Sequence, residues 1–124
     1  MAKVTGIGGV FFKSTEDHKK LAEWYSHNLG VQLEPWGGAT LRYDAPGHPP
    51  VLVWNAVPSK SDYMAPSRRE FMINFAVDDL DAFAARLKSK GVAILKQQSD
   101  ETGKFAWLLD PDGTKIELWQ PKAH

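Results

Sequence analysis

The chain has 124 residues, 43% of them hydrophobic and 24% charged, with 15 basic and 15 acidic side chains and no cysteine. That size and balance suit one globular domain and exclude disulfides and thiolate metal sites, while the absence of a basic stripe argues against nucleic acid as a partner. No stretch approaches the roughly 20 apolar residues of a membrane helix, and the N-terminus lacks a signal-peptide core, so no membrane partner is expected and a cytoplasmic protein is.

In chain order, Val4 to Phe12 reads as a buried strand, with Gly8-Gly9 marking a bulge or close approach. Ser14-Thr15-Glu16-Asp17 supplies hydroxyl caps and acidic first-turn residues for a helix. Leu21, Trp24, Tyr25 and Leu29 then fall on one helical face, and Gly30 ends it. Short strands are expected over 31–34, 39–44 and 51–56. Residues 57–69 carry two prolines and no period, which marks a linker.

The second half repeats that order. A strand is expected over 70–77, and a helix opens at Asp78-Asp79 with Leu80, Phe83, Ala84 and Leu87 on its apolar face. Gly91 stops it, and strands follow near 92–97, 104–109 and 114–120, the last two joined by the turn Asp110-Pro111-Asp112-Gly113. Gly30-Val31 recurs as Gly91-Val92, and Val53-Trp54-Asn55 as Leu118-Trp119-Gln120. Such recurrence points to a duplicated supersecondary unit: module one over 1–56, a linker over 57–69 and module two over 70–124, together one domain.

With these residues placed, the chain resembles the vicinal-oxygen-chelate superfamily of glyoxalase I, bleomycin-resistance proteins, extradiol dioxygenases and fosfomycin-resistance enzymes. The resemblance is carried by Leu21-Ala22-Glu23-Trp24-Tyr25 with Leu29-Gly30, by Phe75-Ala76-Val77-Asp78-Asp79-Leu80-Asp81, and by Asp110-Pro111-Asp112-Gly113-Thr114-Lys115-Ile116-Glu117-Leu118. It implies an α+β fold in which two tandem βαβββ modules curl a mixed sheet into a cup around a substrate pocket. It also implies a homodimer.

The same resemblance implies a divalent metal held from four strands by His, Glu or Gln. Carried over residue by residue, those positions are Gly9, Leu52, Met72 and Glu117. Only Glu117 has a suitable side chain, and one carboxylate holds Mg²⁺ or Zn²⁺ weakly, so neither a metal nor another cofactor is expected. His18, His27, His48 and His124 read as surface residues.

Strand alternation puts Lys115, Glu117 and Trp119 on one face, opposite Ile116 and Leu118. Two readings of Glu117 stand: an acid–base group in an apolar cup, or a carboxylate paired with Lys115, Arg42 or water. Asn74 shares the face of Met72 and converges with Glu117 either as a pocket anchor or as a structural partner. Among the five tryptophans, Trp54 is the first candidate for a pocket wall, with Leu52 and Met72 as apolar lining. Tyr63 is expected at the pocket rim, and Arg42 would meet an anionic ligand if it points inward. The favoured function is binding of a small organic molecule in a largely apolar pocket without the usual metal. The alternative is a glyoxalase-like lyase or isomerase using Glu117 as acid–base or lone metal ligand. A dimeric interaction module without ligand is a third reading.

Overall fold

A computed structural model describes residue 7 and residues 9–122 of the chain; within them lie two helices and four strands. Helix α1 spans His18–Leu29, strand β1 Met72–Ala76 and helix α2 Leu80–Ser89; strands β2, β3 and β4 follow at Lys96–Asp100, Gly103–Leu109 and Lys115–Pro121. The sheet order is β1-β4-β3-β2, with β1 parallel to β4 and the other pairs antiparallel. This is the expected α+β class with a mixed sheet, and module two shows its complete strand–helix–three-strand unit.

Both helices begin and end where their local chemistry requires. The Asp17 carboxylate caps α1 by accepting from the Lys19 and Lys20 amides at 3.0 and 3.2 Å. Gly30 closes it in the left-handed region, at φ 75°, which a side chain would strain. Asp79 caps α2 through the Ala82 amide, with Asp81 in the first turn and Arg86 and Lys88 in the last, all matched to the helix dipole. The residues each helix buries are one or two turns apart: Leu21, Tyr25 and Asn28 on α1, and Leu80, Ala84 and Leu87 on α2. They cover one face of the sheet, where Ala106, Leu108, Ile116 and Leu118 are fully buried. Each of these leucines contributes about 1.5–3 kcal/mol through removal from water.

The turn between β3 and β4 is the best-organised junction in the chain. Asp110 Oδ1 accepts from the Asp112 and Thr114 amides, and its Oδ2 accepts the Tyr25 hydroxyl of α1 at 2.7 Å. The Asp112 carboxylate in turn accepts from Ser14 Oγ and the Thr15 amide. The Ser14 hydroxyl and the Thr15 amide are therefore committed to Asp112, and the helix cap is Asp17 rather than the hydroxyls the sequence suggests. At the other hairpin, a Cβ on Gly103 would lie 2.2 Å from the Gln120 carbonyl oxygen, so only glycine fits there.

Three other expectations meet a different outcome. Of the strand expected over 4–12, residues 4–6 and 8 lie outside the described residues, and Gly9 to Phe12 are irregular. Residues 31–56, expected to hold three strands, form one isolated bridge, Leu33 to Ala39. Strands are stable only when paired and covered, and among the described residues this segment pairs with none of the four strands of the sheet. The strand expected over 92–97 lies instead at Lys96–Asp100, because Val92 and Ile94 turn onto the core while the polar run that follows pairs with β3. His124 lies outside the described residues.

Burial, then the hydrogen bond to Asp110, pushes the Tyr25 hydroxyl well above the ordinary tyrosine range. Tyr25→Phe keeps the ring packing but removes a donor from a buried carboxylate. It is expected to lower urea-unfolding stability by about 1–3 kcal/mol; an unchanged midpoint would show that the Asp110 bond carries no weight.

Candidate functional site

The sheet face away from the helices carries the candidate site. Register places Asn74 of β1 beside Glu117 of β4, Glu117 beside Trp107 of β3, and Trp107 beside Lys96 of β2. Side chains alternate along each strand, so this row projects to one side while Ile116 and Leu118 point into the core. The predicted alternation on β4 is what the structure shows.

Glu117 is only 8% exposed, and a carboxylate in that position needs strong partners. It has three. Asn74 Nδ2 donates to Oε1 at 2.6 Å, the Trp107 indole Nε1–H donates to Oε2 at 2.7 Å, and the Tyr63 hydroxyl donates to Oε2. Asn74 itself is exposed, on the open side of β1. Neither Lys115 nor Arg42 bonds to Glu117. Lys115 Nζ donates to the Tyr63 carbonyl at 2.7 Å, and Arg42 forms a two-pronged surface pair with Asp44 at 2.8 and 2.7 Å.

The sequence-derived candidates separate into two groups. Glu117, Asn74 and Tyr63 meet at one carboxylate, and Met72 lies on the same sheet face, two residues from Asn74. Trp54, at 75% exposure, and Leu52 lie in the irregular segment before the linker, on the protein surface, as does Arg42. Trp107 is the residue that sequence reasoning missed. Its signal was available: pairing outward from the Asp110–Gly113 turn sets Leu109 opposite Lys115 and hence Trp107 opposite Glu117.

Above the carboxylate lies a shallow pocket of about 370 Å³ lined by Tyr63, Pro66, Leu95, Lys96, Trp107 and Lys115, with Asp62 at its edge. Trp107 is 6% exposed and stacks on Phe105, at 5.7 Å between centroids and 10° between planes. Lys96 and Lys115 place their ammonium groups 5.9 and 6.0 Å from its ring centre. A larger open groove of about 550 Å³ runs beside Lys13, Arg68 and Arg69. There Arg69 lies against Phe12 and Phe71 and stands 3.6 Å from Asp112, so its charge is spent on joining segments of the fold.

The family's metal ligands are not assembled at this face. Of the four carried-over positions only Glu117 offers oxygen, and both of its oxygens already accept hydrogen bonds. Among the described residues no group of three or more His, Asp or Glu side chains could hold a metal ion. The donor set does not fit a vicinal-oxygen-chelate metal.

Comparison with known proteins agrees with the fold. Residues 9–119 match the family described as glyoxalase-like domain. Among curated proteins, glutathione transferase FosA of Serratia marcescens is 38% identical over 61 residues, which is 49% of this chain and 39% of that protein. The chain therefore aligns with about two-fifths of the curated relative's length. Among solved structures, the antibiotic-binding protein TnmS3 from Streptomyces sp. CB03234 is 22% identical at TM-score 0.57, over 96% of this chain and all of that one. VPC_CASS1, from the mobile metagenome of V. Pseudocholerae, is 16% identical at TM-score 0.59, over 95% of each chain. No helix among the described residues is long and apolar enough to cross a membrane.

Glu117→Ala would leave the buried Trp107 indole N–H without its acceptor, and a loss of about 1–3 kcal/mol is expected in chemical denaturation. Glu117→Gln, which keeps one oxygen, should lose less; equal losses would contradict the hydrogen-bonded account. Burial, then the bond to Glu117, pushes the Tyr63 hydroxyl up to about 12 from 10.0. The unfolded chain gives up that proton first, so the contribution of Tyr63 is whole below pH 10 and is lost as pH rises toward 12. Tyr63→Phe should make the alkaline decline of stability shallower, as read from unfolding curves across that range.

Proposed function

The chain belongs to the glyoxalase-like domain family of the vicinal-oxygen-chelate superfamily, and from that premise we propose that it binds a small organic molecule without the superfamily's metal. The observation that carries this reading is the state of Glu117: the one family ligand position that kept a carboxylate is satisfied by Trp107, Tyr63 and Asn74. Those bonds turn a reactive position into the floor of a pocket. Aromatic and aliphatic side chains with a few polar groups then line the space above it, which is the ordinary make-up of a small-molecule site. A pocket of this size lies toward the lower end of the range such sites span, about 300–1,000 Å³. Trp107 and Tyr63 supply the ligand-facing rings, while Asn74 and Glu117 hold them in place. The glyoxalase-like lyase or isomerase is the alternative reading, in which Glu117 would exchange one of these hydrogen bonds for a substrate contact.

The working unit in this proposal is a homodimer in the cytoplasm. Module one exposes Trp36, Leu41, Tyr43, Val53 and Trp54, at 61–75% of their surface, more apolar area than a lone domain of this size normally leaves in water. Among the described residues no strand pairs with the outer side of β1. A second copy would cover both, and would bring Trp54 and Leu52 to a pocket wall.

Two measurements test the proposal. Calorimetric titration of the intact chain with a neutral planar aromatic, naphthylmethanol, should give the same affinity in EDTA as in Mg²⁺, Mn²⁺ or Zn²⁺. Binding that appears only with a divalent cation would overturn the metal-free reading. Sedimentation equilibrium should return about twice the 13.8 kDa chain mass, and a monomer at all concentrations would remove the dimer.

A further inference from the structure

We propose that the pocket takes a planar aromatic anion, a ring bearing a carboxylate, seated against Trp107 and Tyr63 and held between Lys96 and Lys115. This rests on the binding function proposed above and names the chemical class of its ligand. Lys96 and Lys115 come from β2 and β4, the strands on either side of β3, and both lean over the Trp107 ring. Lys115 also lies 5.1 Å from the Tyr63 ring centre. Among the described residues neither ammonium is paired with a carboxylate, although Arg42, Arg69 and Lys104 each are. Two cations therefore face the pocket against the single carboxylate of Asp62.

The Glu117 carboxylate sits at the N–H edge of the indole and outside the pocket lining, with both oxygens turned to Trp107, Tyr63 and Asn74. The surface above presents Lys96 and Lys115, ring faces, the aliphatic edges of Leu95, Ala65 and Pro66, the Gln98 amide and the one carboxylate of Asp62. An ammonium over a ring donates outward to whatever anion lies beside that ring, and a bond from a charged donor is worth more than a neutral one. A cationic ligand would instead meet two like charges, and a neutral ring would leave Lys96 without an anion and Lys115 with only the Tyr63 carbonyl it donates to.

Calorimetry with three isosteric probes, naphthoate, naphthylmethanol and naphthylmethylammonium, separates these cases. Naphthoate should bind about tenfold or more tightly than the alcohol, and the ammonium probe most weakly. Lys96→Met with Lys115→Met should bring naphthoate down to the affinity of the alcohol, while Lys96→Arg with Lys115→Arg keeps the preference. Circular dichroism confirms that each variant is folded, and both lysines stand outside the Glu117 hydrogen bonds. Equal affinity of naphthoate and alcohol in the wild-type chain would overturn the charge assignment and leave the binding function intact. So would a preference that survives in the methionine pair, and a preference for the ammonium probe would assign the pocket to Asp62. Failure of all three probes to bind would remove the binding function, and this inference with it.

Discussion

A carboxylate removed from water in the middle of a sheet must be given hydrogen bonds, or it stays out of the sheet. Glu117 sits at that position, and its donors come from β1, from β3 and from the segment before β1. Each donor must be delivered by a different part of the fold. The parallel pairing of β1 with β4 brings Asn74, the hairpin register brings Trp107, and the chain between module one and β1 must pass over the sheet to bring Tyr63. One buried carboxylate thus ties together three strands and the segment that carries Tyr63. The pocket above it follows from that path, since Tyr63 and Trp107 are both its wall and the donors beneath.

Local features of the sequence were read correctly where the physics is local. Helical spacing of Leu21 and Tyr25, and of Leu80, Ala84 and Leu87, is set by the helix repeat, and these residues are buried as expected. The Asp110–Gly113 turn and the alternation of β4 are equally local. What was not legible depends on partners distant in the chain. Ser14 and Thr15 look like caps until Asp112, about a hundred residues on, takes their hydrogen bonds. Lys96–Asp100 is fully exposed and polar, without strand character of its own, and pairs only because β3 offers an edge. The apolar run 51–56 has the composition of a strand but no edge beside it within the described chain.

The candidate site was legible to the same degree. Glu117, Asn74 and Tyr63 could be named from type and position. That they meet at one point, with Trp107 as the missing donor, required the register. Arg42 shows the converse: its charge suggests an anion site, but Asp44 two residues away is within reach and takes it.

Within its family the chain shows the strand–helix–three-strand unit of its second half, and in the proposed function the face that carries Glu117 binds without metal. Gly9, Leu52 and Met72 offer no oxygen or imidazole, and Glu117 spends its oxygens on neighbours. The central claim is that these bonds, not a metal, occupy the carboxylate. The most direct test is the NMR resonance of the Trp107 indole N–H while Mg²⁺ or Zn²⁺ is added. The hydrogen-bonded account predicts a downfield, exchange-protected resonance that stays in place through stoichiometric metal and is lost in Glu117→Ala. A resonance that moves upfield and loses protection as one equivalent of metal binds would contradict it.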